Sequence, residues 1–157
     1  MEISNIQLGE NVQIDDSTSF NNVVVSKNVK IAKRCSIFGS QNYPLIIGEG
    51  TYIGMNTILN GFRAQLRIGA RVSIAQNVNI MVDSGPNASL ELQKIYPMEA
   101  GDIEIGDDSW IGANVIIMPN VKLGKFCVVA ANSFVNASFE DYSLIAGTPA
   151  KFIKKII

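Results

Sequence analysis

From Ile105 onward an aliphatic residue returns at every sixth position: Ile105, Ile111, Ile117, Leu123, Val129 and Val135. A small residue usually follows it, as at Gly106, Gly112, Gly124 and Ala130. The fifth position of each hexad is also small or β-branched: Ser109, Val115, Val121, Cys127 and Ser133. An α-helix repeats its face every ~3.6 residues and a two-faced strand every two, so neither explains a period of six. A short fixed period marks a solenoid, in which each repeat buries its apolar side against the next.

The beat runs back through the chain with slips. Leu8, Ile14 and Phe20 form one set, and Val25, Ile31 and Ile37 a second. Ile47, Ile53 and Leu59 follow an interruption containing Pro44, and Ile68, Ile74 and Ile80 follow another. Period six suits a triangular coil: a short strand on each side, a tight turn at each corner, the aliphatic residue inward. The small residue after it is expected to let the chain turn the corner. Three hexads close a coil of about 18 residues, and stacked coils lie about 4.8 Å apart. The chain has residues for about seven coils, a prism ~35 Å tall. A sheet protein with irregular turns is the competing architecture, but it leaves the unbroken spacing after Ile105 unexplained. One all-β domain over residues 1–157 is expected, with a protruding loop at about 82–102 and a C-terminal tail at about 145–157.

Charge is nearly balanced, with 13 basic and 14 acidic residues. That gives no electrostatic case for nucleic acid or for a membrane surface. No stretch approaches the ~20 apolar residues of a membrane-spanning helix. The opening Met1-Glu2-Ile3-Ser4-Asn5 lacks the features of a signal peptide, so the cytoplasm is the expected compartment. Cys35 and Cys127 both fill the small fifth position of a hexad and read as core residues.

Three segments interrupt or decorate the beat. The first is the break from Val82 to Gly101, which opens Val82-Asp83-Ser84-Gly85-Pro86-Asn87. A loop this long inside a compact domain is a functional arm or a tolerated surface insertion. The second is Trp110-Ile111-Gly112-Ala113-Asn114, followed by Ile117-Met118-Pro119-Asn120-Val121. The third is Val129-Ala130-Ala131-Asn132-Ser133-Phe134-Val135 with the tail Ala146-Gly147-Thr148-Pro149-Ala150-Lys151.

Together these segments resemble the hexapeptide-repeat acyltransferases of the xenobiotic, polysaccharide and sugar O-acetyltransferase type. The resemblance covers about residues 47–155, and Gly147-Thr148-Pro149-Ala150-Lys151 is its most specific element. It implies a left-handed parallel β-helix assembled as a homotrimer, with the active groove between neighbours and the long loop at the boundary. It implies acetyl-CoA as co-substrate, no metal, and a small sugar acceptor bearing a hydroxyl or amine, in surface-polysaccharide or nucleotide-sugar metabolism. Carried over by position, coenzyme contacts fall on Trp110, Ala113, Ala131, Asn136, Lys151 and Lys154. Trp110 equally suits packing on the adjacent coil. Lys151, Lys154 and Lys155 equally suit the solvated face of an amphipathic tail.

One feature of that family is missing. Such enzymes use a histidine just before the long loop to take the acceptor's proton, and this chain contains no histidine. The equivalent place falls on Asp83, Ser84 or Gly85. Asp83 is favoured, because Ser-Gly-Pro-Asn then reads as the turn after it. An aspartate, ordinarily near pKa 3.9, is a poorly matched base at neutral pH. Asp83 is therefore a substitute base or a turn former beside Gly and Pro. An amine that binds deprotonated would need positioning alone. The alternative is an impaired or inactive trimer that binds a ligand or serves as a scaffold. A zinc site of the gamma-class carbonic anhydrase kind is excluded, since it needs three histidines.

Overall fold

A computed structural model describes residues 5–157; Met1–Ser4, part of the N-terminal segment read above, lie outside the described residues. The six-residue beat closes into a left-handed parallel β-helix of triangular section. Face A stacks β1 (Ile6–Leu8), β4 (Val23–Val25), β7 (Leu45–Ile47), β10 (Leu66–Ile68), β15 (Ile103–Ile105) and β18 (Lys122–Leu123). Face B stacks β2 (Gln13–Ile14), β5 (Lys30–Ile31), β8 (Tyr52–Ile53), β11 (Ser73–Ile74), β16 (Trp110–Ile111), β19 (Val128–Val129) and β21 (Ser143–Gly147). Face C stacks β3 (Ser19–Asn21), β6 (Ser36–Phe38), β9 (Ile58–Asn60), β12 (Asn79–Met81), β17 (Ile116–Ile117) and β20 (Phe134–Val135). On face B the antiparallel strand β22 (Ala150–Lys155) closes the end of the sheet by pairing with β21.

Two faces carry six strands, so the prism has about six turns and stands about 29 Å tall, not seven turns and 35 Å. The difference lies in the interruptions. Coil-to-coil register is 18 residues from Glu104 to Lys122, but 22 from Val23 to Leu45 and 37 from Leu66 to Ile103.

The aliphatic residue of each hexad points inward and sits on its counterpart one coil away. Ile74 pairs with Ile53 below and Ile111 above, and all three are fully buried. Each such side chain contributes about 1.5–3 kcal/mol by leaving water. The first coil is the exception: Leu8 is 48% exposed, and Ile14 and Phe20 are half-buried. Among the described residues, that coil is covered by a neighbouring coil on one side only.

The corners work differently from the sequence expectation. The left-handed residue is the third after the aliphatic one: Arg34, Asn56, Asn77, Asp108, Asn114, Asn120 and Asn132 all have φ between 56° and 70°. Asn and Asp tolerate this region because their short polar side chains offset its cost. Gly50, at φ 71°, is the glycine of the series. The small residue right after the aliphatic position answers to a different demand, close approach between coils. A Cβ on Gly106 would stand 2.4 Å from the Gly124 carbonyl carbon, and one on Gly48 2.4 Å from that of Gly69.

Corner side chains bond vertically. Asn11 Nδ2 donates to Asn28 Oδ1 at 3.0 Å, and Asn114 Nδ2 to Asn132 Oδ1 at 3.1 Å. Phe126 and Tyr142 continue one column as rings stacked 4.9 Å apart.

The long break is an ordered arm. After β12 the chain leaves the coil as β13 (Asp83–Ser84), forms the short helix α1 (Leu90–Ile95), and returns as β14 (Glu99–Ala100), antiparallel to β13. Ser89 caps α1, its Oγ accepting from the Leu92 N–H at 3.0 Å. The root is clamped: Gly101 N–H donates to the Val82 carbonyl at 2.9 Å. A Cβ on Gly101 would collide with the Asn120 side chain.

Candidate active site

The arm and the corner after face C enclose a cleft of about 710 Å³. Ser84, Gly85, Tyr96, Met98, Glu99 and Ala100 line it from the arm. Met118, Pro119, Asn120, Phe134 and Asn136 line it from the coils. Its accessible lining is more polar than apolar: the Ser84 and Tyr96 hydroxyls, the Asn120 and Asn136 amides and the Glu99 carboxylate stand among Met98, Met118, Pro119 and Phe134.

Adjacent residues of a strand point to opposite sides, so β13 sends Asp83 and Ser84 different ways. Ser84 lies opposite Glu99, and Asp83 opposite Ala100. The Asp83 carboxylate is half-buried, accepts from Asn60 Nδ2 at 3.3 Å, and does not line the cleft. Ser84 and Gly85, the other two places considered for the family's base, do line it.

The residues expected on the coenzyme side divide between two corners. Ala113 and Ala131 each precede a left-handed Asn at the corner between faces B and C, where the Asn132 N–H donates to the Ala113 carbonyl at 2.9 Å. The tail meets the same edge: Thr148 Oγ1 donates to the Asn132 carbonyl at 3.3 Å, and Gly147 N–H to Ser133 Oγ at 3.1 Å. Trp110 lies on the outer surface of face B, 56% exposed, between Ser73 and Val128. Lys151 and Lys154 lie on β22 and are exposed. Asn136 stands apart, across face C, in the cleft itself. Ile116 and Phe134, neighbours on the outer surface of face C, span the distance between the two corners.

Glu99 and Asn120 carried no mark in the sequence. Asn120 was visible only as part of the repeat, and Glu99 belongs to an arm outside the period.

Residues 102–137 match the family described as bacterial transferase hexapeptide, with six repeats. Over that stretch this is a hexapeptide-repeat chain. A probable macrolide acetyltransferase from Lysinibacillus sphaericus is 58% identical over 109 aligned positions, taking in 58% of this hexapeptide-repeat chain and 60% of that protein. The galactoside O-acetyltransferase of Escherichia coli K12 is 33% identical over 121 positions, covering 76% of this chain and 58% of that one. This hexapeptide-repeat chain thus spans less than two thirds of either relative's length. Among solved structures, AntD, an N-acyltransferase from Bacillus cereus in complex with dTDP and 3-hydroxybutyryl-CoA, superimposes with a TM-score of 0.83 at 26% identity. It covers 94% of this chain and 81% of its own.

Proposed function

We propose that the protein is an acyltransferase that moves an acetyl group from acetyl-CoA to a hydroxyl or amine of a sugar. The observation that carries this reading is the cleft under the arm. It lies across face C from the edge where Ala113, Ala131 and the Gly147–Pro149 turn meet. A pantetheine arm entering at that edge would cross Ile116 and Phe134 and deliver its thioester to the cleft. Trp110 would flank the entrance, and Lys151 and Lys154 would meet the coenzyme phosphates as point charges. Asn136 would contact the acyl end. AntD holds a thymidine nucleotide and an acyl-CoA on this architecture, which supports a nucleotide-linked or surface-polysaccharide sugar as acceptor.

In this reading the cleft orients the acceptor beside the thioester and excludes water, which alone supplies a large part of the rate. Asp83 remains a candidate for the proton, acting from behind β13 beside Asn60. The arm's exposed Leu90, Ile95 and Tyr96 would pack on a neighbouring subunit of a homotrimer.

Release of free thiol from acetyl-CoA, screened over amino sugars and their hydroxyl counterparts, tests the reading. Turnover with at least one acceptor is expected. A second reading, a ligand-binding or scaffolding trimer, rests on the absence of histidine. Coenzyme A binding without turnover on any acceptor would select that second reading, and absence of both would sink the first entirely.

A further inference from the structure

We infer that Glu99 takes the acceptor's proton, passed on by the Ser84 hydroxyl, and that the acceptor group is an amine. This rests on the acyltransferase reading above and specifies its chemistry.

Ser84 and Glu99 are directly opposed in the β13–β14 ribbon. Opposed residues share one side of an antiparallel pair, with Cβ atoms about 4.5–5.5 Å apart. A serine hydroxyl and a carboxylate so placed can exchange a proton directly or through one water. Both line the cleft, and Glu99 is its only carboxylate. The only other titratable side chain lining it is that of Tyr96, and no lysine or arginine lines it. Among the described residues the Glu99 carboxylate makes no ion pair and accepts no hydrogen bond, so it is free to receive one from a ligand. The Asp83 carboxylate, by contrast, is already engaged by Asn60.

The acceptor class follows from the base. An alcohol must give up its proton as it attacks, and a carboxylate, ordinarily near pKa 4.3, accepts it poorly. An amine attacks with its own lone pair and only afterwards carries an acidic proton. The nitrogen forms a bond to the thioester carbonyl carbon and becomes cationic in the tetrahedral intermediate. Its proton passes through Ser84 to Glu99 as the carbonyl re-forms. The C–S bond breaks, the electron pair leaves on sulfur, and the thiolate then takes the proton back.

The test uses the full chain, acetyl-CoA, and matched pairs of sugars that differ by an amino group in place of one hydroxyl. The amine should be acetylated at least about 100-fold faster than its hydroxyl partner. Glu99→Gln should lower kcat on the amine by about 10² to 10⁴ and leave KM for acetyl-CoA unchanged. Glu99→Asp should recover part of the rate. Ser84→Ala should lower kcat less, by about tenfold or more. Coenzyme A affinity, measured by calorimetry on each variant, separates a catalytic effect from misfolding. A full-rate Glu99→Gln beside an inactive Asp83→Asn would assign the proton to Asp83 and overturn the proposal. So would a parent enzyme that prefers the hydroxyl sugar. A parent that neither binds coenzyme A nor releases thiol with any acceptor removes the acyltransferase reading, and this inference with it.

Discussion

Arg71 grips Asp108 across 37 residues of sequence, Nε to Oδ1 at 2.8 Å and Nη2 to Oδ2 at 3.1 Å. Both are left-handed corner residues, at φ 54° and 61°, on adjacent coils. Between them in the chain lies the whole arm. The paired bond therefore fastens the coil before the arm to the coil after it.

That bond gives a pH signature. The Arg71 guanidinium holds the Asp108 carboxyl below the usual carboxylate range. A depressed folded pKa adds stability above the unfolded value, near 3.9, and loses it as pH falls through the folded one. Asp108→Asn keeps the left-handed preference and removes the charge. The parent should exceed the variant in thermal midpoint at pH 6, and the gap should close as pH falls below the ordinary carboxylate range. Arg71 is exposed and Asp108 half-buried, so added salt should narrow it too.

Corner backbone should be more sensitive than corner side-chain bonding. Asn77 sits at φ 58°. Asn77→Val forces a β-branched residue into that region and should cost about 1–3 kcal/mol in urea unfolding. Asn77→Gly should cost far less, because glycine enters the region freely. Equal losses in the two variants would mean the side chain, not the conformation, is what matters there.

Close packing between coils predicts a second asymmetry. Gly106→Ala drives a methyl into the backbone of Gly124 and should destabilise by about 1–3 kcal/mol. The glycine's φ is not in the left-handed region, so a loss of stability there isolates the steric effect.

The two thiols report on coil integrity. Cys35 and Cys127 are free and buried, and burial pushes the Cys127 thiol up from its ordinary value. Neither should react with a thiol reagent at pH 8 in the native protein, and both should react in denaturant. Rapid native labelling at Cys127 would show that the coil opens locally.

Coenzyme binding should respond at the corner between faces B and C. Ala113→Tyr and Lys151→Glu should each weaken coenzyme A by about tenfold or more, ~1.4 kcal/mol, without shifting the thermal midpoint. Unchanged affinity in both variants would move the coenzyme away from that edge.

The fold was legible because burial along the prism is periodic. Ile47, Ile53, Ile68, Ile74, Ile105, Ile111 and Ile117 were picked from spacing alone, and all are fully buried. The corner chemistry was visible but misassigned. Glycine after the aliphatic residue suggested a special backbone, yet the Asn three places on holds it. Both arrangements leave the same six-residue trace. The arm's place was legible from the break in the beat, but its internal structure was not. Its register comes from one short ribbon and a capped helical turn, so nothing in the sequence says that Ser84 faces Glu99. The polar stretch before Gly101 likewise hid α1, whose six residues are too few to show a helical period.

The arm's clamped root carries an architectural consequence. The register across it is 37 residues where an ordinary coil takes 18, so excising 19 would restore a plain turn of the prism. Both ends of the excursion are already held together, by the Gly101–Val82 hydrogen bond. Prism and arm are thus separable in register: the arm can change length and tip without shifting the pairing of the strands on either side of it. Divergence in acceptor choice would then accumulate in one detachable segment, while the stacked coils beneath it stay as they are.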